Sequence, residues 1–488
     1  MAHSDTEGDP AMSGKLVVVS NRIPTGDTPS GGLVVALHGA LEQSGGLWVG
    51  AHPDTAGPGD TGLTEIDRGS YTRLAFHLSE AEYDSYYLGF ANSVLWPLCH
   101  GRADLVELER SYEEGYMAVN RRVARLLADK IEPDDTVWVH DYHFLPLAGE
   151  LRKLGVSARI GYFLHIPFPP LSALSTLPSP DDFADWLASY NLIGLQTRRD
   201  TARCLEMFRS DPRAEFMTDG TVKFQDRVVS VRSFPIGIEV DRFAEAAATP
   251  TDAADLGADM GEQLVIGVDR LDYSKGLPNR FRAFGEYLDR KPEDAPRASL
   301  LQVAPPTRER VAAYRAIRAE LEEIAGRLNG AHSELDWTPI RYIHHAVDRD
   351  LLAVLYRRAE ACLVTSLADG MNLVAKEYVA AQDPEDPGVL ILSRFAGAGE
   401  DMTEALLVNP YDVSEMAEAI ATALSMPLEE RKRRHAACLR VVRDSDVSGW
   451  AQRFVDCLRN CVPTLAYDGL PDEVPERTRS RTPVPETS

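Results

Sequence analysis

The run QLVIGVDRLDYSKG, residues 263–276, decides how the rest of the chain is read. Its first half is apolar without alternation, the pattern of a strand buried on both faces of a parallel sheet. Its second half sets Asp269, Arg270, Asp272 and Lys275 within seven positions. In open parallel sheets ligands bind just beyond the carboxyl ends of the strands. The chain carries 51 basic against 75 acidic residues, a formal net charge of −24. Two cations bunched at a strand end in such a chain point to an anionic ligand focused in one cleft.

Working outward, similar runs recur at 16–20 (LVVVS), 136–140 (TVWVH), 160–165 (IGYFLH), 192–196 (LIGLQ) and 228–231 (VVSV), then at 299–304 (SLLQVA), 361–366 (ACLVTS), 389–393 (VLILS) and 405–409 (ALLVN). Between them lie helical stretches, among them 310–328 and 373–382. Strands alternating with helices predict an α/β fold, with helices covering both faces of parallel sheets. At 488 residues the chain exceeds what one hydrophobic core sustains, so two domains are expected. The boundary falls at SFPIGIEVDRF, 233–243, giving one domain over 14–238 and another over 239–446. The polar segment 1–13 and the Pro-, Glu- and Thr-rich 467–488 read as disordered tails.

Composition narrows the function classes. Six cysteines carry no C-x-x-C pair or metal-type spacing, which suits a reducing compartment. Cys457 and Cys461, four apart, read as packing on one helix face. The N-terminus lacks the apolar core of a secretory signal, and no run of about 18 apolar residues occurs. A cytoplasmic protein is expected, without nucleic acid or membrane as partner. A homo-oligomer is compatible with the sequence, which does not fix the oligomeric state.

The residues after each strand are the ones to inspect. LVVVS leads to Asn21, Arg22 and the pair Gly31 and Gly32, which is either a simple loop or a place where backbone amides meet an anion at a helix start. Asp141, Tyr142, His143 and His165 follow two further strands, as a polar site or as a structural hydrogen-bonded cluster. In the second half Arg270, Lys275 and Arg308 follow successive strands, and LADGMN (367–372) precedes a helix carrying Lys376 and Glu377. This set suits a diphosphate: a bidentate guanidinium, an ammonium point charge and a helix N-terminus freed at Gly370. Glu377, one turn into the helix, would accept the hydroxyls of a ribose. FAGAGE lacks the last glycine of G-x-G-x-x-G, and no G-x-x-x-x-G-K-[ST] occurs. The D-x-D pairs Asp348/Asp350 and Asp444/Asp446 read as caps or surface charge, and no metal or cofactor is expected.

SNR (20–22), GGL (31–33), GGLWVG (45–50), YYLGFANSVLWP (86–97), WVHDYH (138–143), FLHIPFP (163–169), RLDYSKG (270–276), DGMNLVAKEYVAAQ (369–382) and LILSRFAGA (390–398) together resemble the trehalose-6-phosphate synthases, in order over about 15–465. The resemblance implies the GT-B architecture, two Rossmann-like doubly wound parallel-sheet domains facing across a cleft. It implies a retaining glucosyltransferase that moves glucose from a nucleotide diphosphate glucose (UDP-, ADP- or GDP-glucose) to glucose 6-phosphate. Carried over, Arg270 and Lys275 hold the donor diphosphate, with Gly31, Gly32 and the backbone of Gly370, Met371, Asn372 and Leu373 close by. Glu377 takes the ribose, Asp369 the hydroxyls of the transferred glucose, and His165 faces its ring. Arg22, Tyr87 and Arg308 grip the acceptor phosphate, with Trp48, Trp96 and Asp141 on the acceptor side. Asp141, His165, Arg270, Lys275 and Asp369 form the catalytic set. A last helix, about 447–465, is implied to cross back onto the first domain. The chain departs from the family at 170–178 (PLSALSTLP), where a Glu-Ile-Phe-type segment is usual. Two alternatives remain: a non-catalytic sugar-phosphate sensor on the same fold, or a synthase using another phosphorylated acceptor.

Overall fold

The computed structural model describes residues 14–26, 32–56, 62–249 and 262–461. The tails at 1–13 and 467–488, and Gly31, lie outside the described residues.

Two sheets organise the chain. The first, ten-stranded, runs Leu63–Arg68, Thr72–Phe76, Leu47–Ala51, Leu16–Arg22, Thr136–His140, Arg159–Phe163, Leu192–Leu195, Arg227–Ser233, Val222–Phe224, Ala214–Phe216. It is parallel from Thr72–Phe76 to Arg227–Ser233 and antiparallel only at its edges. The second, six-stranded and parallel throughout, runs Ile340–Ile343, Ala298–Val303, Gln263–Val268, Ala361–Val364, Val389–Ser393, Leu406–Val408. In each the earliest strand lies inside, with the next strands on one side and the later ones on the other. Such a reversal opens a crevice at the strand ends. It falls between the strands ending at Arg22 and His140 in the first sheet, and between those ending at Val268 and Val364 in the second. Arg22 and Asp141 therefore flank one crevice, and Arg270 and Asp369 the other.

The unbroken apolar runs became the central strands because both faces of each are covered. Val17, Val137 and Ile193 join the core on one face of the first sheet, and Val18, Trp138 and Leu192 the core on the other. The edge strand Leu63–Arg68 is exposed or half-buried along its length, and its polar LTEIDR gives no strand signal. The expected helices lie at Ala312–His332 and Leu373–Ala381. Asp348 and Asp446 are helix N-caps, accepting from Leu351 and Gly449 amides.

The chain crosses between the halves twice, and the crossings touch: a Cβ on Gly237 would lie 1.6 Å from the Ser445 carbonyl oxygen. Lys376 ties both together, its Nζ 2.7 Å from Ile236 O and 3.2 Å from Ser445 Oγ. The second crossing delivers the helix Val447–Arg459, whose Phe454 stacks on Trp138 at 4.6 Å. Cys461 lies past the end of that helix, not on its face, and its thiol donates to Cys457 O at 3.3 Å.

Candidate functional site

A cavity of about 670 Å³ opens between the halves, bounded by His165 and Gln196 on one side and by Arg270, Lys275, Asp369 and Glu377 on the other. Arg270 is exposed into it and makes no ion pair among the described residues. Lys275 is held differently, its Nζ 2.5 Å from Asp369 Oδ2. The same oxygen accepts from Ser366 Oγ and Asn372 Nδ2, each at 3.0 Å. Burial pushes the Asp369 carboxyl up, but Lys275 and these donors outweigh it and keep the group below its ordinary range. Asp269 is spent elsewhere, in a buried pair with Arg280 at 2.7 Å.

The helix Leu373–Ala381 points its N-terminus at this cavity, capped by Asn372, whose Oδ1 accepts from Ala375 N at 3.2 Å. Asn372 has φ 74°, a left-handed value that asparagine tolerates better than most residues. Met371, Asn372 and Leu373 line the cavity; Gly370 serves packing. A Cβ there would lie 2.0 Å from His165 O, so the two halves could not close as they do. Gly32 begins the helix Gly32–Ser44, whose Leu33 and Val34 reach the cavity. Burial pushes the Glu377 carboxyl up to about 7.

His165 presents its ring between His140 Nδ1, 3.0 Å from its Nε2, and Gln196 Nε2, 3.4 Å from its Nδ1. Burial pushes this imidazole down to about 3, leaving it neutral. Asp141, at φ 72°, turns its carboxylate back to accept from His165 N at 3.3 Å, and burial pushes its pKa up to about 6.

A second cluster adjoins the cavity through Arg270, whose guanidinium carbon lies 5.7 Å above the Trp96 ring. Arg308 stacks on the same ring at 3.9 Å and is 4% exposed. It donates to Tyr314 OH at 2.5 Å, to Asp272 Oδ2 at 3.3 Å and, across the cleft, to Tyr142 OH at 3.1 Å. Arg22 sits 5.6 Å over Tyr87, which stacks on His143 at 5.8 Å. Burial raises the Tyr87 hydroxyl, but Arg308, Arg22 and Arg270 together pull it below its usual value. Tyr87 belongs to a π-helix, Tyr83–Leu95, a rare wide helix that often marks functional sites. Trp48 does not reach this cluster. It stands mid-strand, 1% exposed, and its Nε1 donates to Ser20 Oγ, which donates to Arg22 O at 2.8 Å. Its place is behind Arg22.

Sequence reasoning passed over several participants. Gln196 follows the strand Leu192–Leu195 directly, so the strand-end rule could have found it. Asp272, the buried counter-charge of Arg308, lies within the opening stretch. The apolar wall at Val303, Ala346, Val347 and Leu352 leaves no signal, because its shape is set by tertiary packing. Among the described residues, no group of three or more His, Cys, Asp or Glu could hold a metal ion, and no helix is long and apolar enough to cross a membrane.

The model of glycosyltransferase family 20 matches residues 15–460. The trehalose-6-phosphate synthase of Cronobacter sakazakii is 45% identical over 466 residues, covering 94% of this chain and 98% of that protein. The solved structure of the E. coli protein bound with UDP-2-fluoro glucose superposes with a TM-score of 0.88 at 44% identity, covering 92% of this chain and 100% of the other. The alpha,alpha-trehalose-phosphate synthase (UDP-forming) of Burkholderia xenovorans, in complex with glucose-6-phosphate, superposes with a TM-score of 0.85 at 43% identity, covering 91% and 100%.

Proposed function

The chain belongs to glycosyltransferase family 20, and from that premise we propose that it is an α,α-trehalose-6-phosphate synthase, transferring glucose with retention from UDP-glucose to glucose 6-phosphate. The observation that carries this reading is the pairing of two anion sites in one crevice. Arg270, Lys275 and the Leu373–Ala381 helix end form one, and Arg22, Tyr87 and Arg308 the other, with Arg270 over Trp96 between them.

In this reading the donor diphosphate lies against Arg270, Lys275 and the amides at 371–373, and Glu377 accepts the ribose hydroxyls. The base meets the apolar wall around Val347. Asp369 orients Lys275 and meets the hydroxyls of the transferred glucose, whose ring faces His165. The acceptor phosphate is gripped by Arg22, Tyr87 and Arg308, with Trp96 and Asp141 beside the sugar, and Trp48 acts through Ser20 on Arg22.

The chemistry is same-face transfer. The bond from the anomeric carbon to the leaving phosphate oxygen breaks, and the acceptor hydroxyl forms the new bond on the same face. Its proton passes to the leaving phosphate oxygen. Fixed positive charge where negative charge develops supplies the main acceleration. A covalent intermediate would need a free carboxylate below the sugar. Asp269 is committed to Arg280, and Asp369 is held through Oδ2 by three donors while its other oxygen is left, in this reading, to the glucose hydroxyls, which supports the front-face route. No step in this scheme calls for a metal or cofactor.

The test is product analysis. UDP-glucose with glucose 6-phosphate should give UDP and a disaccharide phosphate with α,α linkage by NMR. Relative kcat/KM among UDP-, ADP- and GDP-glucose should favour UDP-glucose. Binding of both ligands without turnover would favour the sensor, and turnover only with other sugar phosphates a different synthase.

A further inference from the structure

The histidine of the cleft has a fixed tautomer, and one glutamine sets it. Gln196 Oε1 lies 3.0 Å from the backbone nitrogen of Ile236, in the first crossing between the halves. A backbone N–H can only donate, so the amide atom facing it is the oxygen. The remaining Nε2 can only donate in turn, and it lies 3.4 Å from His165 Nδ1. A neutral imidazole has one donor nitrogen and one acceptor. His165 Nδ1 therefore carries the lone pair, and the ring proton sits on Nε2, directed at His140 Nδ1 3.0 Å away. His140 follows the same logic: its proton is on Nε2, which has no hydrogen-bond partner among the described residues and lies beside Trp138, ring centres 4.5 Å apart. The crossing is held from the other half as well, since Ile236 O accepts from Lys376 Nζ at 2.7 Å, on the helix that bears Glu377.

We propose that Gln196 is a positioning residue that holds His165 as its Nε2–H tautomer, so that the imidazole faces the transferred sugar with its Nδ1 lone pair held by Gln196, its one proton held by His140, and no proton to give. The amide that fixes Gln196 belongs to the crossing, so the tautomer depends on how the halves are joined. What His165 faces rests on the proposed function; its protonation pattern does not. A ring whose only proton is committed to His140 cannot deliver it to the leaving group. His165 is then no proton relay, in keeping with direct passage of the proton from acceptor to phosphate.

Protein labelled with 15N-histidine tests this, by correlating ring nitrogens with ring protons and assigning His165 from the signals lost in His165→Gln. The expected pattern is an unprotonated Nδ1 and a protonated Nε2. In Gln196→Glu one carboxylate oxygen still meets the Ile236 amide and the other faces Nδ1, so the proton should move to Nδ1. Turnover should then fall at least about tenfold, the worth of one lost hydrogen bond, while KM for glucose 6-phosphate stays within about twofold. A protonated Nδ1 in the unaltered protein, or an unchanged pattern in Gln196→Glu, would overturn the proposal. Should Gln196→Glu not fold, the unaltered protein's spectrum decides. Absence of turnover with every donor would sink the proposed function and leave the ring pattern standing.

Discussion

The two anion sites of the crevice are built on opposite plans. On the donor side Arg270 stands exposed and unpaired among the described residues, and Lys275 is half-neutralised by Asp369. On the acceptor side Arg308 is buried and largely committed, stacked on Trp96 and bonded to Asp272, Tyr314 and, in the opposite half, Tyr142, with only its Nε lacking a partner among the described residues. A buried arginine stays charged and needs partners to offset its desolvation, and its place is then fixed before any ligand arrives. The Arg308 side is preassembled and doubles as the contact between the halves, whereas Arg270, like the exposed Arg22 of the acceptor site, supplies charge on demand. In a molecule of net charge −24 the demand matters: in the proposed reading a free Arg270 attracts the donor, and the Lys275–Asp369 pair limits how much positive charge must be confined without it.

The largest way to break that contrast is Lys275→Ala. Removing the ammonium takes away the group proposed to face the leaving phosphate and frees Asp369 to repel it. kcat should fall at least about 10²-fold, as loss of one preorganised oxyanion donor commonly costs. Ser366 and Asn372 still hold Asp369, so the variant should fold, which a melting curve checks. A rate near that of the unaltered protein would remove Lys275 from the chemistry.

Arg22→Ala sharpens the contrast from the acceptor side. Arg22 is exposed at the end of its strand and makes no ion pair among the described residues, so its loss should leave the fold intact. Loss of one charge-assisted contact should raise KM for glucose 6-phosphate roughly 10- to 100-fold and leave KM for UDP-glucose nearly unchanged. Equal effects on both would show that the walls are not separate. Arg308→Ala cannot be read this way, because it strands Asp272, whose side chain is wholly buried.

The same division governs what the sequence made legible. Buried central strands announce themselves because covering both faces forces an unbroken apolar run, and the strand-end rule then leads to Arg270, Asp141 and Asp369. The last two strands of the first sheet, Ala214–Phe216 and Val222–Phe224, are too short to show a period. Gly370 was legible as a glycine, but its cause, a carbonyl of the other half 2.0 Å from where a Cβ would lie, belongs to the packing of two distant segments. The resemblance put Trp48 beside the acceptor; a position in the middle of a strand puts it behind Arg22. The π-helix left no trace beyond the motif itself, since the bonds from Asn92 and Ser93 side chains to carbonyls five residues earlier become visible only once it is wound.

The smallest expected effect separates the walls by pH. Burial pushes Glu377 up to about 7, so in the free protein it is half protonated at neutral pH. Ribose hydroxyls donate to a carboxylate, so donor binding selects the ionised form and weakens as pH falls through that value. The ionised fraction drops from about 0.9 at pH 8 to about 0.1 at pH 6, and KM for UDP-glucose should rise about tenfold over that range. UDP-glucose does not titrate there; glucose 6-phosphate does, near about 6, and is kept saturating. In Glu377→Gln the group still meets the ribose but carries no titrating proton, so KM should be raised and flat with pH. A slope that survives in Glu377→Gln would assign the titration to another group, with Asp141 at about 6 on the acceptor wall the first to examine.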